Sequence, residues 1–211
     1  MLPWVGFMDT VADLPPSLEH LLETHDGIIT RQYVIEAGLS PHLLPYWTKA
    51  GKLERVQPGV YRQIGHPGFD QDWLIEIMLR VPQGVLCLTS ALAFHGLGTF
   101  VPSETHIAIP RDAHRPAFKT ASVQLHRFSS AQYAHGIETH PAGPYELRVY
   151  SKEKTLADLL RTRHVYGLPL FLEALKSYLS GKGFNTWKLG EAARVCRVER
   201  LMREYVTVVL A

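Results

Sequence analysis

Cysteine is scarce in this chain. Cys87 and Cys196 are far apart, and neither belongs to a CxxC pair. That excludes a disulfide framework and a zinc finger, and it points to a reducing, cytoplasmic setting. Long apolar runs are missing too: none approaches the ~18 residues that a membrane span needs, so no membrane partner is expected. The apolar start, Met1 to Met8, has no basic lead, and Asp9 and Asp13 follow it, so it does not read as a signal peptide. Internal repeats and low-complexity stretches are absent. So are GxGxxG, GxxxxGK[ST] and HExxH, which removes the usual nucleotide cradles and a helical zinc pair. The 11 histidines offer no better metal reading, because His20/His25 and His135/His140 are each five apart, off the i,i+4 spacing of one helix face. Ser90, His95 and Asp112 lack the GxSxG elbow of a nucleophilic serine. A nuclease-type carboxylate set in the middle sheet would have few and poorly placed carboxylates to draw on, among them Glu104, Asp112 and Glu138. No enzyme, cofactor or metal is expected.

Net charge is only +2, but it is unevenly spread. Residues 1–80 hold six Lys/Arg against ten Asp/Glu, and residues 145–211 hold twelve against seven. Inside the acidic first part, Thr30 to Gly65 is locally basic, with Arg31, Lys49, Lys52, Arg55 and Arg62 against Glu36 and Glu54. A basic patch of this kind is the electrostatic footprint of a polyanion binder.

That same stretch has a legible order. Leu14, Leu18, Leu21 and Leu22 share a helix face, and Asp26-Gly27 ends the helix. Ile28 and Ile29 form a short extended link. Thr30 caps a second helix to about Ala37, with Val34 and Ala37 inward, and Gly38 stops it. Ser40-Pro41 starts a third helix, which Gly51 ends. Leu44 and Trp47 face inward; His42, Pro45, Tyr46 and Lys49 face outward. Pro45 would fall in the interior of that helix and predicts a kink or a fresh start there. Leu53 to Val56 and Val60 to Arg62 read as two strands around Gln57-Pro58-Gly59. Three helices and a two-stranded wing make a winged helix-turn-helix, expected over residues 14–65. Such a domain places its third helix in the major groove of DNA and its wing against the backbone or the minor groove. The residues predicted to contact DNA are Arg31, His42, Tyr46, Lys49, Lys52, Arg55 and Arg62.

His66, Pro67, Gly68, Phe69 and Asp70 mark a boundary, and a second domain is expected over residues 70–211. Asp72 to Arg80 reads as a helix and Val85 to Leu88 as a strand. Thr89 or Ser90 caps a helix that stops at Gly96. Ile107/Ile109, Val123/Leu125/Arg127 and Leu147/Val149 alternate as strands do, so residues 84–150 predict a small sheet flanked by helices. From Ser151 onward the pattern is helical. Ser151 reads as a cap and Asp158 as a solvent-facing carboxylate. Further helices are expected at Leu168 to Leu179 and Trp187 to Val195. Val198, Leu201, Met202, Tyr205, Val206 and Val209 form a stripe that packs on this chain's core or on a partner. The fold class is α+β: a winged helix-turn-helix, then a mixed α/β domain with a helical C-terminal end.

The runs Gly27-Ile28-Ile29-Thr30-Arg31, Ala37-Gly38-Leu39-Ser40 and Lys49-Ala50-Gly51-Lys52-Leu53-Glu54-Arg55-Val56-Gln57-Pro58-Gly59-Val60-Tyr61-Arg62 resemble the N-terminal domain of the AbiEi antitoxins of type IV toxin–antitoxin systems. Thr89 to Leu97, Ile107 to Arg111, Ser151 to Leu160 and Val198 to Tyr205 are similar to later parts of that family. The resemblance implies a transcriptional autorepressor that binds double-stranded DNA at inverted repeats in its own promoter. It also implies a C-terminal antitoxin domain countering a nucleotidyltransferase-like toxin, without requiring a stable complex. The family's third helix usually carries several arginines, where this chain has His42, Pro45 and Tyr46. The alternative reading is a winged-helix regulator whose second domain serves dimerisation or an effector, with no toxin partner.

Overall fold

The computed structural model describes residues 13–68, 72–118 and 122–210. The apolar start with Asp9, and Phe69 and Asp70 of the expected boundary, lie outside the described residues. The chain divides into two units, residues 1–80 and 81–211. The fold is α+β, with helices and a small sheet first and a helical C-terminal end.

The first unit opens with α1 (Pro16–Thr24), whose proline at the first turn suits a helix start. Leu18 and Leu22 are fully buried. Leu14 precedes the helix and packs against the same cluster from outside it, so the leucine stripe is shorter than its spacing implies. Asp26 and Gly27 reverse the chain at positive φ, 46° and 75°. At Gly27 a Cβ would lie 2.6 Å from His66 Cγ, so only glycine fits. Then follow β1 (Ile28–Thr30), α2 (Arg31–Glu36), α3 (Leu43–Lys49), β2 (Leu53–Gln57), β3 (Val60–Gln63) and α4 (Asp72–Arg80). The supposed link at Ile28-Ile29 is a strand: β1 pairs antiparallel with β3, giving the order β1-β3-β2. Gln57 belongs to β2, so the wing turn is Pro58-Gly59 alone, with Gly59 at φ 82°. Proline followed by a positive-φ glycine is the chemistry of a type II turn. Ala37, expected inside, is exposed, because α2 ends one residue earlier. The first unit continues past residue 65 to take in α4, which packs on β2 and β3.

Thr30 caps α2 as its sequence position predicts, its hydroxyl accepting the Tyr33 N–H at 3.1 Å. Thr30→Ala is expected to lower the stability of this unit by about 1 kcal/mol, read as a shift in urea midpoint at constant slope. An unchanged midpoint would show that the cap is dispensable.

The second unit runs β4 (Val85–Leu86), α5 (Leu88–Phe94), β5 (Thr105–Pro110), β6 (Val123–Phe128), α6 (Ser130–Ala134), β7 (Ile137–Ala142), β8 (Tyr145–Tyr150), α7 (Lys152–Arg161), α8 (Arg163–Tyr166), α9 (Leu168–Ser180), α10 (Thr186–Val195) and α11 (Glu199–Leu210). Its five-stranded mixed sheet has the order β6-β5-β4-β8-β7. The strand β7 went unseen in the sequence, because its residues Ile-Glu-Thr-His-Pro-Ala bury no clean alternating face. Neither Thr89 nor Ser90 caps α5. Both lie inside it, and Cys87 stands at the cap. Ser151 does cap α7, accepting the Lys154 N–H at 3.2 Å. The core joins α5, α7, α9 and α10 to the sheet. Met202 lies in that core, and Leu201, Tyr205, Val206 and Val209 of α11 pack against it. The apolar stripe of α11 therefore has its partner within the chain.

Candidate nucleic-acid interface

The geometry of α3 follows from where it starts. Ser40-Pro41 is not its first turn. Ser40 Oγ accepts the His42 N–H at 3.4 Å, and the carbonyls of Ser40 and Pro41 accept from Leu43 and Leu44. The helix proper begins at Leu43. Pro45 is therefore its third residue. The first four N–H groups of a helix have no intrahelical partner, so proline there removes no bond. The expected kink is absent because it assumed a start two residues earlier. Leu44 and Trp47 are 1% and 4% exposed and pack on Leu18, Leu22 and Val34. On the other face His42, Pro45, Tyr46 and Lys49 are exposed. Tyr46 is 59% exposed, and its ring stands edge-on to Trp47 at 4.9 Å. That contact limits the ring's freedom. Gly51, at φ 72°, ends the helix, and the half-buried Lys52 donates its N–H to the Trp47 carbonyl at 3.0 Å.

The wing is tied to α2. The Arg31 N–H donates to the Gly59 carbonyl at the turn, at 2.9 Å. With Tyr33 N–H on Thr30, two of the first three donors of α2 are used internally. Arg31 thus exposes its side chain rather than a free helix end. Arg55 is exposed on β2, beside a register shift between Arg55 and Gln57 that bends the strand. Arg62 is placed differently. It lies opposite Glu54 in register and bridges Glu54 at 3.2 Å and Glu76 of α4 at 3.0 Å. Two carboxylates hold it, so it braces the sheet against α4. Of the seven residues named from sequence, Arg31, His42, Tyr46, Lys49 and Arg55 are exposed, while Lys52 and Arg62 are half-buried.

Residues 17–62 match the family of AbiEi antitoxin transcriptional regulators. The AbiEi match runs from α1 to Arg62 in β3, over the winged-helix elements just described, and it supports an antitoxin-type regulator. No curated protein sequence matches the chain. Among solved structures, the chain resembles the crystal structure of the RV2827C protein from Mycobacterium tuberculosis. The TM-score is 0.55 at 14% identity, over 92% of this chain and 82% of that one. At such identity the likeness concerns the fold.

In the second unit the discounted serine, histidine and aspartate are apart. Ser90 Oγ donates to the Glu104 carbonyl and accepts the His106 N–H at 2.8 Å. His95 Nε2–H donates to the Tyr150 carbonyl at 2.7 Å, and Asp112 is exposed. Among the described residues no group of three His, Cys, Asp or Glu side chains is placed to hold a metal ion, and no helix is long and apolar enough to cross a membrane.

The reading of Asp158 is overturned. It is fully buried, ion-paired with the equally buried Lys154 one turn earlier, and 3.8 Å from Arg161. Cys196 Sγ–H donates to its other oxygen at 3.2 Å. The Lys154 ammonium lies over the Tyr150 and Phe128 rings, 4.1 and 4.8 Å from their centroids. Burial, with Asp158 adding to it, pushes the Cys196 thiol up to about 12 and Cys87 well above its ordinary range. Both thiols stay protonated and unreactive at neutral pH. From the sequence Asp158 reads as a solvent-facing carboxylate; the fold instead turns both it and Lys154 toward the core.

Proposed function

We propose that the first unit binds the promoter of its own operon and represses it, with α3 as the element in the major groove. What carries this reading is the split face of α3, with Leu44 and Trp47 inward and His42, Tyr46 and Lys49 outward, beside a wing that bears Arg55. A seven-residue helix is about 10 Å long and fits a groove about 12 Å wide. His42 and Tyr46 reach base edges. Lys49, Lys52, Arg55 and Arg31 neutralise phosphates, and Arg62 supports the wing from behind. Inverted repeats would place two copies of the domain on one operator. DNase protection of the promoter should show paired footprints over such repeats; protection without a preference for them would overturn the reading.

The second unit, in this proposal, is the antitoxin, and it counters a nucleotidyltransferase-like toxin in the type IV manner. Its support is the AbiEi match of the first unit together with the likeness of Ser151 to Leu160 and Val198 to Tyr205 to that family. Co-expression with a nucleotidyltransferase gene of the same operon is expected to restore the growth that this gene alone arrests. Continued arrest, with the protein present and folded, would refute the antitoxin role.

A further inference from the structure

The second unit contains a cavity of about 350 Å³ that the DNA-binding reading does not use. Its walls come from α5, β5, β6 and α8. Parallel pairing of β5 with β6 places His106 opposite Gln124 and Ala108 opposite His126. Strand alternation then brings His106, Gln124 and His126 to one face. Across them stands Tyr166, its ring 5.6 Å from that of His106 and nearly perpendicular to it. Glu104 lies at the rim and accepts from the Gln124 amide at 3.0 Å.

The hydrogen bonds here are incompletely closed. Thr89 is 1% exposed and lines the cavity, and its buried hydroxyl has no hydrogen-bond partner among the described residues. A buried hydroxyl without a partner is destabilising, which makes it a marker of something that binds. His106 Nδ1 and His126 Nε2 share a bond of 2.8 Å, and the Tyr166 hydroxyl lies 3.4 Å from that same Nδ1. In the tautomer in which His126 Nε2–H donates to the His106 Nδ1 lone pair, His106 Nε2–H remains a donor and His126 Nδ1 an acceptor. Burial lowers both imidazoles, His126 to about 4 with His106, Arg115 and Arg161 adding to the effect. The pair is therefore uncharged at neutral pH. Among the described residues no lysine or arginine lines the cavity, and Glu104 is its one carboxylate.

An anion is disfavoured in such a place. A flat ring with a hydrogen-bonding edge fits: aromatic and imidazole faces for its plane, Thr89 for a ring nitrogen, and Glu104, which only accepts, for an amino group. The volume is that of a small-molecule site. We infer that this cavity binds a free nitrogen heterocycle bearing an exocyclic amino group, of nucleobase or nucleoside size. The inference does not rest on the DNA-binding reading.

The test is calorimetric titration of the full chain with adenosine, cytidine, inosine, uridine and adenosine monophosphate. At least one of the two amino nucleosides is expected to bind, with its keto counterpart about tenfold weaker, because a carbonyl would face the Glu104 carboxylate. The monophosphate is expected to bind less tightly than adenosine. Thr89→Val should reduce the affinity about tenfold while leaving the melting temperature of the ligand-free protein unchanged or higher. No binding of either amino nucleoside at millimolar concentration would overturn the inference. So would equal affinity for the keto forms, or full affinity in Thr89→Val. A lowered melting temperature of that variant would likewise count against it, by showing that the hydroxyl serves the fold.

Discussion

Replacing Asp158 with alanine is expected to destabilise the second unit by about 3–5 kcal/mol, the usual range for breaking a buried ion pair. In a unit of this size that lowers the melting temperature by roughly 10–20 °C. The reason is what remains. Lys154 is fully buried, and without Asp158 its ammonium keeps, among the described residues, the faces of Tyr150 and Phe128. Cation–π contacts supply about 1–2 kcal/mol, less than burial of a bare charge demands. Cys196 also loses its acceptor. Lys154→Met should be damaging for the mirror-image reason, leaving a carboxylate in the core with Arg161 at 3.8 Å as its nearest remaining cation. The double change Lys154→Met with Asp158→Leu removes both charges and is expected to be more stable than either single variant. A cost below about 1 kcal/mol for Asp158→Ala would contradict the buried-pair account, and simple additivity in the double variant would show that the two charges do not act together. Chemical denaturation, followed by a probe in the second unit, reads both.

The second large effect concerns DNA. Lys49→Ala and Arg55→Ala are each expected to weaken promoter binding by roughly ten- to a hundredfold, since a charge-assisted hydrogen bond contributes about 1.5–3 kcal/mol. Both side chains are exposed, so neither change should unfold the domain. If both touch phosphates, the loss is uniform across DNA sequences, and the double variant loses about a hundredfold or more. The pattern separates these residues from His42 and Tyr46, whose removal should alter which sequence is preferred. Arg62 serves as an internal contrast. Its charge is held by Glu54 and Glu76, so Arg62→Ala should change domain stability more than it changes salt-dependent affinity.

Much of the first unit was legible in the sequence because its punctuation is local. Gly27, Gly38, Gly51 and Gly59 all adopt positive φ at the turns where they were read, and Thr30 caps the helix that follows it. The errors arose where a longer-range partner decides the outcome. Ile28-Ile29 is a strand only because β3, thirty residues on, pairs with it. Pro45 is harmless only because Ser40-Pro41 forms a separate turn before α3. The inward and outward faces of α3 were both correct, since helical period fixes them once Leu44 and Trp47 are inside. The second unit was less legible. Strand β7 carries no alternating apolar face. Lys154 and Asp158 have the spacing of an exposed helical pair, and only the elements around α7 enclose them. The cavity beside His106 and His126 is invisible in sequence, because these residues lie twenty apart and meet through the pairing of β5 with β6.

The central claim is that the winged unit binds promoter DNA through α3 and its wing. Its most direct test is a fluorescence-anisotropy titration of the full chain on its own promoter and on unrelated duplex, across a series of salt concentrations. The expected result is promoter preference together with a linear fall of log affinity against log salt. The slope should shrink by about one for each of Lys49→Ala and Arg55→Ala. Equal binding to both duplexes, or an affinity indifferent to salt, would contradict it.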